Sequence, residues 1–196
     1  MASHPPATLT PHFREFLPAW VARQPWYPGP DVPSLTPVGY LRLEDPDGAV
    51  GIETHLVSDG ARVYQVPMTY RSAPLDAAAA ALITTAEHSL LGTRWIYDGP
   101  ADPVWTEAFL RLVRTNDSTG RSAPGRAAPA EARGRLLAPP EALTARAAAI
   151  EVCRVLTPGA QPADSAALGL ITGTWHPAGP GTPQASGLLA VIHPAP

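Results

Sequence analysis

Proline and glycine limit how this chain can fold more than any other feature of its sequence. The 196 residues include 25 prolines and 16 glycines, and these residues break helices or mark turns. They are unevenly spread, and residues 116–149 form a low-complexity tract that is rich in proline, alanine and arginine. Because such a tract buries little apolar surface, we expect it to form a loop on the protein surface.

One helix and an antiparallel meander are predicted before this tract. Thr10 can cap a helix that begins with Pro11, and apolar residues then recur at helical spacing over residues 13–21. Pro18 is expected to kink or restart this helix, since it cannot donate a backbone hydrogen bond. The turn sequences DPDG and SDG separate three predicted strands, at residues 38–44, 50–57 and 62–70.

The register of this meander decides which side chains share a face. Pairing Leu56 with Tyr64 brings the apolar residues of the second and third strands to the same side of the sheet. The opposite side is then polar, and we expect it to be either solvated or a shallow binding site. It carries Glu53, His55, Gln65, Thr69 and Arg71.

The remaining elements predict an α+β fold. They are a helix at residues 76–84, a strand at 94–98, a helix from Asp102, and strands at 150–156, 168–175 and 187–193. The chain is therefore expected to form a mainly antiparallel sheet of about six to eight strands, with two to three helices packed on one face. We expect residues 1–115 to form one domain, followed by the loop. Residues 150–196 should complete the same sheet, because about 50 residues make a marginal domain on their own.

Composition excludes several function classes. All 14 basic residues are arginine, so mechanisms that need a lysine, such as a phosphate loop or a Schiff base, are not available. The net charge of −3 predicts no nucleic-acid partner and no membrane partner. No apolar run approaches the roughly 18 residues of a membrane span. The start of the chain lacks a secretory leader and Cys153 is the single cysteine, so we expect a cytoplasmic protein.

Neither a metal nor a cofactor is predicted. The six histidines show no metal-ligand spacing, and a single thiol cannot build a thiolate site. Cys153 has apolar neighbours in its predicted strand, which indicates a packed thiol in preference to a nucleophile.

The sequence from Glu87 offers the strongest candidate for a ligand-binding site. Glu87, His88 and Ser89 combine an acid, a base and a hydroxyl in a stretch predicted to be irregular, and Arg94 and Asp98 follow closely. One interpretation is a small polar site with His88 as the proton-transfer group. The other is that Glu87 and His88 satisfy backbone groups at a helix end. No nucleophile elbow accompanies them, so no catalytic residue is assigned.

Aromatic residues offer a candidate protein interface. Trp26 and Tyr27 lie in the turn after the first helix. Side chains of this size pack in cores or interfaces more often than they stack on sugars. Together with Gln65 and Arg71 from the polar sheet face, they are the candidate interface residues.

Five motifs resemble the N-terminal cap domain of actinobacterial maltokinases. They are LPAW (17–20), QPWYPG (24–29), YQVPMTYR (64–71), EHSLLG (87–92) and RWIYDG (94–99). The resemblance covers about residues 8–113 and is closer still to stand-alone cap-like proteins without a kinase lobe. In the kinases the second motif usually continues with Gly-Lys, whereas Gly29 is followed here by Pro30.

The resemblance implies a curved antiparallel sheet that holds a helix, similar to the cystatin fold. In these kinases sugar and ATP bind in the lobes that follow the cap, so no catalytic residue carries over. The implied function is a non-catalytic accessory protein of α-glucan, trehalose or aminosugar metabolism. It would act through a protein partner, such as a sugar-metabolising enzyme, or as a homo-oligomer.

A sugar- or sugar-phosphate-binding protein with weak enzymatic activity is the alternative. Its site would be the loop at Glu87, His88 and Ser89, with Arg94 as the cationic ligand for phosphate.

Overall fold

Two antiparallel sheets and two α-helices make up this computed structural model, which describes residues 7–119, 130–162 and 166–195. The first sheet is curled and comprises β1 (Leu9–Thr10), β2 (Thr36–Leu43), β3 (Gly51–Ser58), β4 (Val63–Arg71), β5 (Leu82–His88), β6 (Gly92–Asp98) and β9 (Val155–Leu156). The first six strands lie in the order β1-β5-β6-β4-β3-β2, and β9 pairs with β4. The predicted α+β class and antiparallel sheet are confirmed.

Two α-helices, α1 (Phe13–Val21) and α2 (Pro103–Arg114), pack on opposite faces of the first sheet. Helix α1 begins after His12, which forms a capping box with Glu15. Thr10, the predicted cap, instead pairs with Glu87 as part of β1. The helix continues through Pro18 as one element. Short 3₁₀ turns lie at Asp76–Ala81, Gly99–Ala101 and Pro140–Ala142.

The second sheet contains β7 (Glu131–Leu136), β8 (Ala148–Val152), β10 (Gly169–Trp175) and β11 (Ala185–Pro194) in the order β7-β10-β11-β8. The expectation that the last strands complete the first sheet is correct for β9 and wrong for β8, β10 and β11. These strands stack against the α2 side of the first sheet, where Ile171 and Leu189 share one apolar core with Leu56. Stacking buries the apolar faces of both sheets, which a longer single sheet would not do.

Part of the low-complexity tract forms strand β7. An added Cβ at Gly134 of this strand would lie 2.2 Å from the carbonyl oxygen of Leu112, so the glycine permits a close approach of β7 to α2. Ala132, two residues earlier in the strand, is also buried. The expectation of a surface loop is wrong for β7, because its small residues pack beneath the helix. Residues 120–129 of the tract lie outside the described residues.

The alanine-rich segment forms the 3₁₀ turn Asp76–Ala81 instead of the predicted longer helix. The chain enters β5 at Leu82, because the β-branched residues at 83–85 favour a strand. Strand β5 continues to His88 and β6 begins at Gly92. The stretch predicted to be irregular is therefore a strand end followed by a tight hairpin turn.

The observed register of β3 and β4 differs from the prediction by one residue. Val57, and not Leu56, lies opposite Tyr64. This shift places the apolar residues of the two strands on opposite faces: Ile52 and Leu56 pack with α2 and the second sheet, whereas Val66 packs with α1. Both apolar sets are buried because each face has its own covering layer.

The polar residues predicted to share one face are divided between the two faces. The ring of His55 lies 4.3 Å from that of Phe13 in α1, and Glu53 is on the same side. Gln65 and Arg71 contact the second sheet and the start of α2. The expectation of a solvated or shallow polar face is wrong, because His55 is 5% exposed and Gln65 is 1% exposed.

A buried ion pair attaches α2 to the end of β4. The carboxylate of Asp102 accepts hydrogen bonds from Nε and Nη2 of Arg71 at 2.6 and 2.7 Å, and from the backbone N–H of Val104 at 2.9 Å. Burial favours a raised pKa for Asp102, but the hydrogen bonds from Arg71 and Val104 outweigh it and lower the pKa. Asp102 therefore stays charged and caps α2.

Replacing this carboxylate should destabilise the protein strongly. We expect Asp102→Ala to lower the free energy of unfolding by about 3 kcal/mol, because it leaves Arg71 unpaired and removes the cap of α2. Urea denaturation followed by circular dichroism measures the change. Asp31→Ala, at an exposed position, is the control and should change stability by no more than about 0.5 kcal/mol. Equal effects of the two substitutions would contradict a structural role for the pair.

The cap of α1 should make stability depend on pH. Nδ1 of His12 accepts the backbone N–H of Arg14, which requires a neutral ring. Burial and then the charges of Arg14 and His55 lower the pKa of His12 below 6.5, against an opposing contribution from Glu15. The unfolded state then binds more protons, so stability should fall as the pH drops below about 6.5.

His12→Asn is the matched variant, since asparagine caps helices without titrating. Urea titrations of both proteins at several pH values between about 5 and 8 should show a smaller acid-induced loss of stability in the variant. Identical pH profiles would contradict the assignment of His12 as the cap.

Candidate functional site

The side chains of the predicted ligand site hold the turn between β5 and β6. Ser89 donates its backbone N–H to the carbonyl of Thr8 at 2.9 Å, and its Oγ accepts the N–H of Thr8 at 3.0 Å. Nδ1 of His88 accepts the N–H of Leu90 at 3.2 Å. Nη2 of Arg94 donates to the carbonyl of Leu91 at 2.6 Å. These contacts fit the interpretation in which the cluster satisfies backbone groups.

The two acidic residues of the predicted site lie at opposite ends of the hairpin. Oε1 of Glu87 accepts a hydrogen bond from the hydroxyl of Thr93 at 2.5 Å, directly across the hairpin. Asp98 is the last residue of β6, opposite Met68 of β4. The structure therefore brings Glu87, His88, Ser89 and Arg94 together at the turn and separates Asp98 from them. Ligand binding by the group stays a prediction.

Asp98 forms an ion pair with Arg154, which lies 56 residues later in the chain. Its Oδ2 accepts a hydrogen bond from Nη2 of Arg154 at 2.5 Å, and the two side chains are 20% and 15% exposed. The guanidinium carbon of Arg154 lies 5.8 Å from the ring centre of Trp26. This arrangement combines a carboxylate, a cation and an indole across three elements, and Arg154 directly precedes β9.

Arg154 is not among the site residues predicted from the sequence. One signal was available: a single cation stands among apolar residues in a segment predicted to be a strand. A charge in such a place needs a partner, but the sequence alone does not show that the partner is Asp98.

The aromatic candidates pack against the buried Tyr64. The ring centres of Trp26 and Tyr27 lie 5.7 and 5.8 Å from that of Tyr64. The Tyr64 hydroxyl donates to Asp59 at 2.6 Å, and burial followed by this hydrogen bond raises the pKa of Tyr64 to about 12. Trp26 and Tyr27 are both partly buried, so their contacts inside the protein are established, and a role at an interface stays a prediction.

Gln65 and Arg71 also make contacts inside the protein. The Gln65 side chain donates from Nε2 to the carbonyl of Leu189 at 3.0 Å, and its backbone N–H donates to the carbonyl of Arg154 at 2.9 Å. Gln65 therefore links β4 to the second sheet. Arg71 is held by Asp102, as described above. An interface at either residue is likewise untested.

Cys153 is a partly buried free thiol. Burial and the negative charge of Glu151 raise the pKa of the Cys153 thiol, which lowers its reactivity. In the described part of the chain, no group of three or more His, Cys, Asp or Glu side chains is placed to hold a metal ion. Within the same ranges, none of the helices has the length and apolar character that a membrane crossing requires.

One segment of the chain matches a known protein family. The sequence model of the maltokinase N-terminal cap domain matches residues 20–102, a segment that runs from the end of α1 to the cap of α2. This segment, called the cap-like segment below, is similar to that cap domain, and the predicted resemblance is confirmed over these residues. The second sheet lies outside the matched segment, and it contacts that segment through Gln65 and Leu56.

Removing Arg154 should weaken the junction between the cap-like segment and the C-terminal strands. We expect Arg154→Met to lower the free energy of unfolding by about 2 kcal/mol, because it leaves the Asp98 carboxylate partly buried and unpaired. Arg146→Met, at an exposed arginine, is the matched control and should have little effect.

A double-mutant cycle with Asp98→Asn separates the pair from other effects. The double variant should lose less stability than the sum of the two single variants, by about 1 kcal/mol or more. Strict additivity in urea denaturation would show that the pair contributes no coupling.

Proposed function

We propose that this protein is a non-catalytic, cap-like accessory protein of α-glucan, trehalose or aminosugar metabolism. The match of residues 20–102 to the maltokinase N-terminal cap domain is the observation that carries the proposal. The name of that family connects the fold with an enzyme that phosphorylates maltose. In such kinases the cap precedes the lobes that bind sugar and ATP. A cap-like chain is therefore expected to assist an enzyme and not to catalyse the reaction itself.

The hydrogen bonds of the polar residues support a role without catalysis. The groups with acid, base or cationic character at the β5–β6 turn bind neighbouring backbone or side-chain atoms. Arg71 and Asp102 join a helix to the sheet, and the chain has no lysine. General acid–base chemistry needs a group that can reach a substrate proton, and these side chains are engaged in holding the fold.

Binding to another protein is the activity we assign. The partner is a sugar-metabolising enzyme in the cytoplasm, such as a maltokinase, and self-association is the second form that such binding could take. A small sugar- or sugar-phosphate-binding role at Glu87, His88 and Ser89 is the competing function that the same experiments test.

A ligand panel and a partner titration together test this proposal. The purified protein of 196 residues is heated with maltose, trehalose, glucosamine, glucose phosphates or ATP. A ligand present at about 100 times its Kd would raise the melting temperature by about 5–10 °C, and we expect no such shift. In parallel, biolayer interferometry measures binding to purified maltokinase and trehalose-converting enzymes of the source organism, and we expect saturable binding to one of them.

The two measurements have opposite outcomes under the two functions. A reproducible shift with one sugar class, lost in His88→Ala, would replace the accessory role by the sugar-binding role. The absence of binding to any enzyme of the set, together with a monomeric mass in light scattering, would also overturn the proposal.

A further inference from the structure

We propose that β8 (Ala148–Val152), at the open edge of the second sheet, pairs antiparallel with β8 of a second copy of this chain. The pairing joins the second sheets of the two copies into one continuous sheet. This inference rests on the self-association that the proposed function allows, and it specifies the strand, the register and the symmetry of that contact.

One side of β8 carries backbone groups that are available for pairing. The other side pairs with β11, and in the described ranges no strand lies beyond β8. The N–H of Cys153, one residue past the strand, donates to the carbonyl of Leu189 in β11 at 2.9 Å. Because these directions alternate along a strand, Ile150 and Val152 direct their N–H and C=O groups away from β11, to the open side.

The other sheet edges carry features that oppose strand pairing. Strand β1 has only two residues, and β5 contains a bulge beyond the end of β1. Strand β2 contains Pro37, which lacks an N–H, and its Val38 carbonyl accepts the N–H of His176. Strand β7 is covered, since the N–H of Gly134 donates to the carbonyl of Asp117. Proteins protect sheet edges by such devices, and in the described part of the chain β8 has no proline, bulge or covering segment.

The backbone of β8 is complementary to a second β8. When Ile150 lies opposite Ile150 of the second copy, these two residues exchange both of their hydrogen bonds. The N–H of each Val152 then donates to the carbonyl of Ala148 in the other copy. The N–H of Ala148 needs no further acceptor, because it donates to the carbonyl of Thr144 at 3.0 Å. Four intermolecular hydrogen bonds thus use both free N–H groups of each strand, and a two-fold axis at Ile150 gives both copies the same contacts.

The side chains of β8 fit the same register. Ile150 and Val152, which pack at the margin of the core and are partly exposed, meet Ile150 and Ala148 of the second copy. Apolar pairs that face each other across strands stabilise a sheet. On the outer face Glu151 lies opposite Ala149, so the carboxylates of the two copies are not opposed. The charges as well as the apolar contacts therefore favour a second copy as the occupant of this edge.

The length of β8 limits how tightly the two copies associate. Stable interfaces bury about 800 Å² on each partner, and a contact along a strand of five residues is smaller. The backbone hydrogen bonds give the contact its register and not a high affinity. We therefore expect a dimer with a Kd of about 10–100 μM, which dissociates on dilution.

Sedimentation equilibrium and amide hydrogen exchange test the pairing. Between about 1 μM and 1 mM protein, the mass should rise from 20.6 kDa towards twice that value. Exchange is followed for single residues by NMR. The N–H groups of Ile150 and Val152 should exchange about 5-fold more slowly at the highest concentration than at the lowest one that NMR can measure. The N–H of Ala149 is directed to β11 in the monomer and is the internal reference, which should not change.

Charge substitutions at position 149 test the register. Ala149 is exposed, so its replacement should leave the monomer folded, as a cooperative melt would show. We expect Ala149→Glu to weaken dimerisation about 10-fold, because the new carboxylate faces Glu151 of the second copy twice in each dimer. Ala149→Arg should strengthen it several-fold for the opposite reason. Thr172→Glu adds the same charge at an exposed position of β10, away from this edge, and should have little effect.

Several outcomes would overturn the pairing. One is a monomeric mass at every concentration up to about 1 mM. Another is slow exchange of Ile150 and Val152 at every concentration, which would show that the edge is covered within a single chain. A dimer that Ala149→Glu leaves intact, or that Thr172→Glu weakens equally, would place the contact elsewhere. A monomer that still binds a sugar-metabolising enzyme would overturn this inference and leave the proposed function intact, whereas a dimer that binds no such enzyme would support the pairing alone.

Discussion

Strand β4 is the element to which every layer of this protein is attached. Its pairing with β3, in which Val57 lies opposite Tyr64, places Tyr64 and Val66 against α1. The alternate side chains Gln65 and Arg71 then face the other side, where they bind the second sheet and the cap of α2. Because successive residues of a strand point to opposite faces, one register fixes both layers at once.

The position of β4 between two layers explains which residues the polar side chains bind. Gln65, Arg71 and Asp98 lie inside the segment that matches the cap domain, and their partners Leu189, Asp102 and Arg154 lie at its end or beyond it. The C-terminal strands are thus joined to the cap-like segment by specific hydrogen bonds as well as by the shared apolar core.

Much of the local structure could be predicted from residue patterns. Turn sequences located β2, β3 and β4 to within two residues, and the cap at Asp102 with Pro103 correctly marked the start of α2. The errors have physical causes. Alanines at 77–81 suggested a helix, but the β-branched residues at 83–85 start a strand.

Of the candidate site, the turn at His88 and Ser89 was located, while Arg154 was missed because its partner is distant in sequence.

By itself the sequence determined the short elements, the α+β class and the resemblance to the maltokinase cap domain, since turns and apolar spacing are local properties of the chain. Only the tertiary structure decided the register of β3 with β4, the separate second sheet and the burial of the polar residues. The physical reason is that two registers one residue apart satisfy the same local preferences. The layer that covers each face selects between them, and in this protein both faces of β4 are covered.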